Sequence, residues 1–394
     1  MAAHEFKKLY ETYKSFYKPV CVIKMGGEDI AAFKKLPMSI QEVTVDLTSD
    51  YKASMATFSI AGIYDHINGK FMVDKVKKLL LLGIDVIIAL GYGGAATEVF
   101  RGYVARVDFH FTKSDDEDPT VQVTAMDVKG IMMANSLSKR MQANSYSDAV
   151  KEIFEQAAYQ DLSNRQIITS LNVADTPDKQ GGGAGGAGGG AGGAGGETPD
   201  VRIEMVAESD YDFVVKAAKR FNYEFFSLGG NVAFRKAKSD TDVLIELTPG
   251  LAFFTYDVGY DITGVSGKIN VRTLDVGKGK RIAVTKKNNN KFSLGGKAKP
   301  LISAQEYSYI DPTAETQEDA EQRAQYLMEE SSYRLGSLRA DIIGLPEMVP
   351  GKFIKLTGFG EGVSNTFYLT DVSHVFREGS YHTIIEGKAA SVGE

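Results

Sequence analysis

The sequence contains few residue combinations that could perform chemistry. Five histidines are spread along the chain: His4, His66, His110, His374 and His382. None has the His-x-x-x-His or Glu-x-x-His spacing that places two zinc ligands on one helix face. We expect His110 on a solvent-facing strand surface and His374 as a hydrogen-bonded, partly buried residue. Cys21 is the only cysteine and lies in an apolar run, which is typical of a small core residue rather than a nucleophile.

Glycine-rich segments are the other candidates for chemistry. The sequence Gly91-x-Gly93-Gly94 follows a predicted strand, as a dinucleotide-binding turn would. The residues after it alternate as a strand, so no helix N-terminus would be present to bind a pyrophosphate. No Gly-x-Ser-x-Gly elbow or Gly-Lys-Ser/Thr phosphate loop occurs, and carboxylates are too numerous to indicate a glycosidase pair. We therefore predict no catalytic residue, no cofactor site and no metal ligand, and we expect that the chain is not an enzyme.

Composition restricts the class of protein further. The chain has 394 residues, of which 43% are hydrophobic, enough for two or three packed domains. Its formal charge of −6 argues against wholesale nucleic-acid binding. The longest apolar run, 79–90, is too short to cross a bilayer, and the polar residues 1–18 do not resemble a signal peptide. We expect synthesis in the cytoplasm and neither nucleic acid nor a membrane as a partner.

Alternating hydrophobicity predicts a mainly β protein. The clearest strand is 100–111, with one apolar face formed by Tyr103, Ala105, Val107, Phe109 and Phe111. An acidic loop at 115–118 and a second alternating run at 120–127 predict a long antiparallel hairpin. Further strands are predicted at 41–46, 56–60, 85–90 and 201–207.

Helical spacing occurs at only a few places. Helices are predicted at 5–17, at 145–158 with an apolar stripe ending in Ala157, and after the capping sequence Ser209-x-x-Asp212. A strand hairpin then follows at 223–234, with its turn at 229–231. A last helix is predicted at 316–335, with Thr316 as N-cap and Gly336 as its C-terminal stop.

Two regions of the chain repeat one pattern. A strand ending at Gly91 is followed nine residues later by Phe100, and a strand ending at Gly358 is followed nine residues later by Phe367. Each copy then continues as a long alternating strand and returns through a polar loop. This pattern indicates a duplicated β-barrel-like unit; the alternative is that strand, glycine turn and strand simply recur in β proteins.

The predicted fold is mainly β with an α+β insert: two β-barrel domains flank a small strand–helix–hairpin domain. The first barrel covers 1–140, and 141–200 holds a helix and a linker. The small domain covers 201–250, and the second barrel covers 251–394. The linker at 181–196 contains only Gly and Ala, which predicts a flexible tether with a reach of roughly 20–24 Å. The tract could be natural or an engineered replacement.

Three segments resemble the phage late control protein D family, which includes baseplate hub proteins of contractile tails. The segment from Ser209 to Phe225 resembles the family's SD-x-x-F helix, with Asn222 where glycine is common. The segments 344–351 and 368–376 resemble its closing barrel, and the resemblance implies that both barrel domains are tail-tube-like. The N-terminal ETYKSFYKPV is similar to hub proteins of Gram-positive prophages and phage-tail-like bacteriocins.

The resemblance implies a structural role. It implies a homotrimer that adapts a three-fold spike to a six-fold tail tube, nucleates the tube and is incorporated in the particle after synthesis in the bacterial cytoplasm. The implied partners are a hexameric tube or tube-initiator protein, a separate spike chain, and other baseplate, wedge and tape-measure proteins. The alternatives are a tail-associated cell-wall hydrolase or endopeptidase, and the hub of a non-contractile tail.

One charge feature is separate from these patterns. The segment 268–299 contains ten Lys or Arg residues and a single acid, Asp275. It is interpreted either as a long solvated hairpin or as a basic surface that meets an acidic partner chain or the contents of the lumen. On the second interpretation, charge reversal of Lys286, Lys287 and Lys291 should impair assembly.

Overall fold

A computed structural model of the chain describes most of its residues. These are 4–30, 38–113, 118–178, 203–250, 252–275, 279–290, 292, 297–311, 314, 316–377 and 379–393. The Gly/Ala tract at 181–196 and most of the acidic loop at 115–118 lie outside the described residues. The predicted mainly β fold with an α+β insert is confirmed.

The elements are numbered in chain order. The strands are β1 (Pro19–Met25), β2 (Glu28–Asp29), β3 (Ser39–Thr48), β4 (Met55–Ala61), β5 (Tyr64–Asp65), β6 (Lys70–Phe71), β7 (Asp85–Tyr92), β8 (Ala95–His110), β9 (Thr120–Met126), β10 (Leu137–Arg140), β11 (Ser170–Val173), β12 (Glu204–Glu208), β13 (Tyr223–Leu228), β14 (Asn231–Lys236), β15 (Val243–Leu247), β16 (Phe253–Tyr260), β17 (Lys268–Asp275), β18 (Lys280–Lys287), β19 (Glu306–Ile310), β20 (Gly336–Ile343), β21 (Phe353–Leu356), β22 (Thr366–Arg377) and β23 (Ser380–Ala389). The α-helices are α1 (Phe6–Thr12), α2 (Val73–Val76), α3 (Val128–Met132), α4 (Tyr146–Phe154), α5 (Ala157–Asn164), α6 (Asp210–Phe221), α7 (Ala298–Ser303) and α8 (Gln317–Ser332).

One large sheet of 13 strands contains two units with the same strand order. The first unit runs β1-β7-β8-β9-β4-β3 across the sheet, and the second runs β15-β21-β22-β23-β20-β16. Each strand of the first unit has a counterpart in the second unit that has the same place along the chain and the same place in the sheet. For example, the first strand along the chain lies at one end of each unit and the second strand lies at the other end. One difference is that β1 is antiparallel to β7, whereas β15 is parallel to β21. The repeat in the sequence therefore corresponds to a repeat in topology.

The two units join at a seam between β3 and β22. These strands pair antiparallel from Asp371 opposite Thr48 to Arg377 opposite Glu42. The apolar sides of both units merge into a single core that includes Val45, Phe58 and Leu369. Among the described strands neither unit closes into a hydrogen-bonded barrel, because its two end strands, β1 and β3 in the first unit and β15 and β16 in the second, are not paired with each other.

The small α/β part packs beside this sheet around its own core. Helix α6 begins at Ser209, whose side chain accepts a hydrogen bond from the Asp212 amide, and it ends at Asn222 in the left-handed conformation. The apolar face of α6 includes Phe213, Val214 and Ala217, all fully buried. The hairpin β13–β14 follows as expected, and β11 extends it in parallel.

The second unit contains an insertion between β16 and β20. Strands β17, β18 and β19 form a small sheet, and α8 packs against one face of it. Helix α8 has the predicted Thr316 N-cap, within a capping box completed by Asp319. Gly336 does not stop this helix, contrary to prediction. The helix ends at Ser332, and Gly336 begins β20.

Two other helix predictions need correction. The predicted helix at 5–17 is interrupted: α1 ends at Thr12 and a 3-10 turn covers Lys14–Phe16. The predicted helix at 145–158 ends at Phe154, and the exposed Ala157 starts the next helix, α5. The N-cap of α4 is Ser145, whose hydroxyl accepts a hydrogen bond from the Asp148 amide.

Candidate assembly surfaces

The candidates for chemistry lie in structural settings. The glycines at 93 and 94 form the turn between β7 and β8, both with positive φ, and a strand follows them rather than a helix. Within the described ranges no group of three or more His, Cys, Asp or Glu residues could hold a metal ion. Burial raises the pKa of the Cys21 thiol to about 12, which makes it a poor nucleophile at neutral pH. None of the described helices is long and apolar enough to span a membrane.

His374 is a fully buried member of β22 at the seam. Its Nε2 lies 3.2 Å from the Met348 carbonyl oxygen, and that contact requires Nε2 to carry the proton. Its Nδ1 then accepts hydrogen bonds from the Tyr381 hydroxyl at 2.9 Å and the Thr383 hydroxyl at 3.3 Å. Burial lowers the pKa of His374 to about 4. The residue is hydrogen-bonded, as expected, and more deeply buried than expected.

The seam buries the strands that form it. On the core side, Val45 of β3 lies opposite His374 of β22, and both are 0% exposed. On the other face, the Arg377 guanidinium contacts Glu42 across the seam at 2.8 Å, and the Ser373 hydroxyl contacts Asp46 at 2.5 Å. A core side and a satisfied polar side are what a stable strand pair within a sheet requires.

The second unit ends in an uncovered strand, β16. Its one strand partner among the described residues is β20. Its core-side residues Phe253 and Val258 are only half-buried, and Tyr256 is 49% exposed. A free strand edge has unpaired backbone N–H and C=O groups, so another strand can pair with it.

The outer half of β8 is a second uncovered edge. Strand β7 pairs with β8 up to Tyr103, and backbone hydrogen bonds link Val104 to 83 and 84. Beyond that point no described strand pairs with this edge of β8. The prediction of one apolar face along this strand is wrong, because a bulge at Ala105 puts Tyr103 and Ala105 against the core of the small α/β part, whereas Val107 packs against the core of the large sheet. Beyond the bulge, Phe109 is 46% exposed. His110 is exposed, as expected.

A buried ion-pair network joins the small α/β part to the second unit. The Glu224 carboxylate lies 2.7 Å from the Arg235 guanidinium and accepts a hydrogen bond from the Tyr368 hydroxyl. Arg235 also donates to the Gly351 carbonyl at 2.8 Å. Because Glu224 is buried, its charge depends on these partners for stabilisation. No local sequence pattern indicates this network, because its members lie on three strands, β13, β14 and β22, and in the loop before β21.

A second buried pair lies where α3 meets the sheet. Asp127 caps α3 through the Lys129 amide and also accepts from the Ser54 amide. The Lys129 side chain is fully buried, and its Nζ lies 3.9 Å from the Asp127 carboxylate without a hydrogen bond to any described residue. Burial lowers the pKa of Lys129, and the nearby Asp127 offsets only part of this effect.

The basic segment forms one side of the β17–β18–β19 sheet. We call the side opposite α8 the open face. It presents Lys268 and Arg272 from β17, and Arg281 and Lys287 from β18. Glu306 of β19 lies 3.4 Å from Lys268. Within the described part of the chain, Arg272, Arg281 and Lys287 form no ion pair.

This placement changes the test that the sequence suggested for the basic segment. Lys286 pairs in register with Ile269 and so lies on the side of α8 rather than on the open face. Lys287 does lie on the open face, and Lys291 lies outside the described residues.

The comparisons with known proteins give a fold but no sequence match. No protein-family model and no curated protein matches the sequence. Among solved structures, the 43 kDa tail protein of prophage MuSo2 from Shewanella oneidensis aligns with a TM-score of 0.67 at 12% identity, covering 96% of this chain and 100% of that one. A tail protein from Neisseria meningitidis aligns with a TM-score of 0.64 at 11% identity, covering 95% and 97%.

A third solved structure extends the likeness. The E. coli c3393 protein is described as a type VI secretion component with structural similarity to the T4 tail proteins gp27 and gp5. It aligns with a TM-score of 0.52 at 12% identity over 93% of this chain and 76% of that one. The chain has the fold of these phage tail and type VI secretion proteins.

Proposed function

We propose that the chain is the structural hub of a baseplate in a contractile phage tail or phage-tail-like particle. The observation that carries this proposal is the pair of units with identical strand order in one sheet. The likeness to solved tail proteins supports it. On this proposal the chain is not an enzyme, and its role is to position other chains and to transmit force between them.

A duplicated unit has a specific geometric use. Three copies of a chain with two equivalent units form a ring with six similar units. Such a ring presents three-fold symmetry to one partner and near six-fold symmetry to another. The proposed homotrimer would bind a separate spike chain on one side and a hexameric tail tube or tube-initiator protein on the other, where it would nucleate the tube. Other baseplate, wedge and tape-measure proteins would surround it.

The open face is the proposed contact for an acidic partner in the particle. Its unpaired Arg272, Arg281 and Lys287 would be complemented by carboxylates on that partner. The charge-reversed variant Arg272→Glu/Arg281→Glu/Lys287→Glu should fold normally and impair assembly. The matched control is reversal of the exposed Lys7 and Lys8 on α1. Normal assembly and normal contraction of the triple variant would refute this contact.

The decisive experiment is electron microscopy of the particle with this chain labelled. A hub predicts density on the tail axis between tube and spike, together with a surrounding sheath if the tail is contractile. The rival function, a cell-wall hydrolase or endopeptidase, predicts clearing in a murein zymogram with the purified chain. A cleared zone, or a label away from the axis, would overturn the proposal. We expect the chain to be made in the bacterial cytoplasm and incorporated into the particle tail.

A further inference from the structure

The seam within the chain is one of two equivalent strand pairings, and the second lacks its partner. We number the six strands of each unit in the order in which they occur along the chain. In the seam, the second strand of the first unit, β3, pairs with the fifth strand of the second unit, β22. The equivalent strands are β16, the second strand of the second unit, and β8, the fifth strand of the first unit. Both have the free edges described above.

Backbone hydrogen bonds fix how β8 corresponds to β22. The Val104 amide donates to Ile84 and its carbonyl accepts from Gly83, at 2.9 and 2.8 Å. The Leu369 amide donates to Lys352 and its carbonyl accepts from Gly351, at 2.8 and 2.9 Å. In both strands a bulge follows at the next residue. Val104 and Leu369 are therefore equivalent positions.

The sheet registers then fix how β3 corresponds to β16. In the first unit, Val104 lies opposite Ala125, which lies opposite Ala56, which lies opposite Val45. In the second unit, Leu369 lies opposite Gly387, Gly387 lies opposite Leu338, and Leu338 lies opposite Val258. Val45 of β3 is therefore equivalent to Val258 of β16.

With this correspondence, the residue pairs of the seam predict which residues of β8 and β16 would lie opposite each other. Within the chain, His374 lies opposite Val45, and these positions translate to Phe109 and Val258. One residue along β22, Val375 opposite Thr44 translates to His110 opposite Asp257.

The translated pairs are chemically complementary. At the end of the seam, Asp371 opposite Thr48 translates to Arg106 opposite Asp261, which are of opposite charge and exposed. On the core side, Phe376 opposite Val43 translates to Phe111 opposite Tyr256, two exposed aromatic rings. Opposite charges and aromatic pairs directly across strands stabilise a sheet.

Burial supports the same conclusion. Val43 and His374 lie in the paired strands of the seam, and both are 0% exposed. Their unpaired equivalents, Tyr256 and Phe109, are 49% and 46% exposed in the single chain.

We infer that β16 of one copy pairs antiparallel with residues 106–112 of the next copy, in the register of the β3–β22 seam. This pairing is head-to-tail, so it closes a ring when the rotation per chain allows. Each interface between units in the ring, within or between chains, would then be built alike. The inference rests on the proposed hub function, and it names the surface and the partner: a second copy of this chain.

Cysteine cross-linking tests the register. In a Cys21→Ala background, His110→Cys/Asp257→Cys places two cysteines directly opposite each other across the inferred pairing, within disulfide reach. The variant Asp108→Cys/Asp257→Cys shifts one partner by two residues and serves as the matched control. Thr44→Cys/Val375→Cys, the equivalent pair within the chain, gives the yield expected of a correct register. Each full-length variant is concentrated, mildly oxidised and run on non-reducing gels with native mass measurement.

We expect the His110/Asp257 variant to give covalent trimers in a yield close to that of the intrachain pair, and the shifted variant to give several-fold less. A trimer that cross-links only in the shifted variant, or in neither, would overturn the strand pairing and leave the three-chain hub standing. A chain that stays monomeric at every concentration and forms no intermolecular cross-link would overturn the pairing and remove its support for the ring.

A charge cycle provides an independent readout. Asp261→Arg places two arginines opposite each other, and we expect self-association about fivefold weaker per interface. Adding Arg106→Asp restores the opposite charges and should restore association. A double variant no stronger than Asp261→Arg alone would refute the pairing of these two residues.

Discussion

Acidification should weaken the seam through His374. In the folded chain its pKa is lowered to about 4 by burial, and its neutral form satisfies hydrogen bonds to Met348, Tyr381 and Thr383. In the unfolded chain the pKa returns to an ordinary value of about 6.5. Between these values the unfolded state binds a proton that the folded state does not, so stability falls as the pH falls from about 6.5 to about 4.

The magnitude follows from the width of this window. Each pKa unit corresponds to about 1.4 kcal/mol. At pH 5 the loss from this group is about 2 kcal/mol relative to pH 7, and below the folded pKa it approaches about 3 kcal/mol. Because His374 lies opposite Val45 on β3, the loss acts at the junction of the two units.

Urea unfolding at pH 7 and pH 5 measures this effect. His374→Gln retains hydrogen-bonding capacity without titrating, and His110→Gln removes an exposed histidine as the matched control. The stability lost between the two pH values should be about 2 kcal/mol smaller in His374→Gln than in the wild type or the control. Because the free energy of unfolding of each protein is compared with its own value at the other pH, any pH-independent loss caused by the substitution cancels. An equal pH-dependent loss in all three proteins would refute the reasoning.

Other predictions concern the buried charges and one helix end. Glu224→Gln should destabilise by about 2 kcal/mol, because it removes the charge of a buried carboxylate that pairs with Arg235 and accepts a hydrogen bond from Tyr368. Glu386→Gln at an exposed pair should cost under about 1 kcal/mol; equal losses in chemical unfolding would contradict this. Lys129→Met should destabilise less than Asp127→Ala, because the Lys129 ammonium makes no hydrogen bond to a described residue, whereas Asp127→Ala should cost about 2 kcal/mol through two lost backbone contacts. A melting temperature lowered more by Lys129→Met than by Asp127→Ala would contradict this prediction. Asn222→Ala should lose at least about 1 kcal/mol more than Asn222→Gly, because both lose the hydrogen bond to Glu329 but only alanine is strained in the left-handed conformation; thermal unfolding of both variants measures this difference.

Local signals in the sequence were enough to predict several elements. The Ser209 and Thr316 caps depend on residues three positions apart, so they were visible without tertiary structure. The end of α8 was not visible in this way, since Gly336 resembles a helix stop but is used as the start of β20. Buried networks such as that of Glu224 also gave no signal, because their members come together only through folding.

The sequence alone determined the mainly β strand content and the presence of a repeat, but it did not show the bulge at Ala105, which moves the apolar residues on either side of it to opposite faces of β8. It aligned Phe100 with Phe367, whereas the backbone hydrogen bonds make Val104 equivalent to Leu369, a shift of two residues. Because side chains alternate with a period of two, such a shift leaves every residue on its face and is invisible in the pattern. Only the tertiary structure decided the register. It also decided that β3 joins β22, a pairing of residues more than 300 positions apart in the chain, and so which strand edges remain free for another copy.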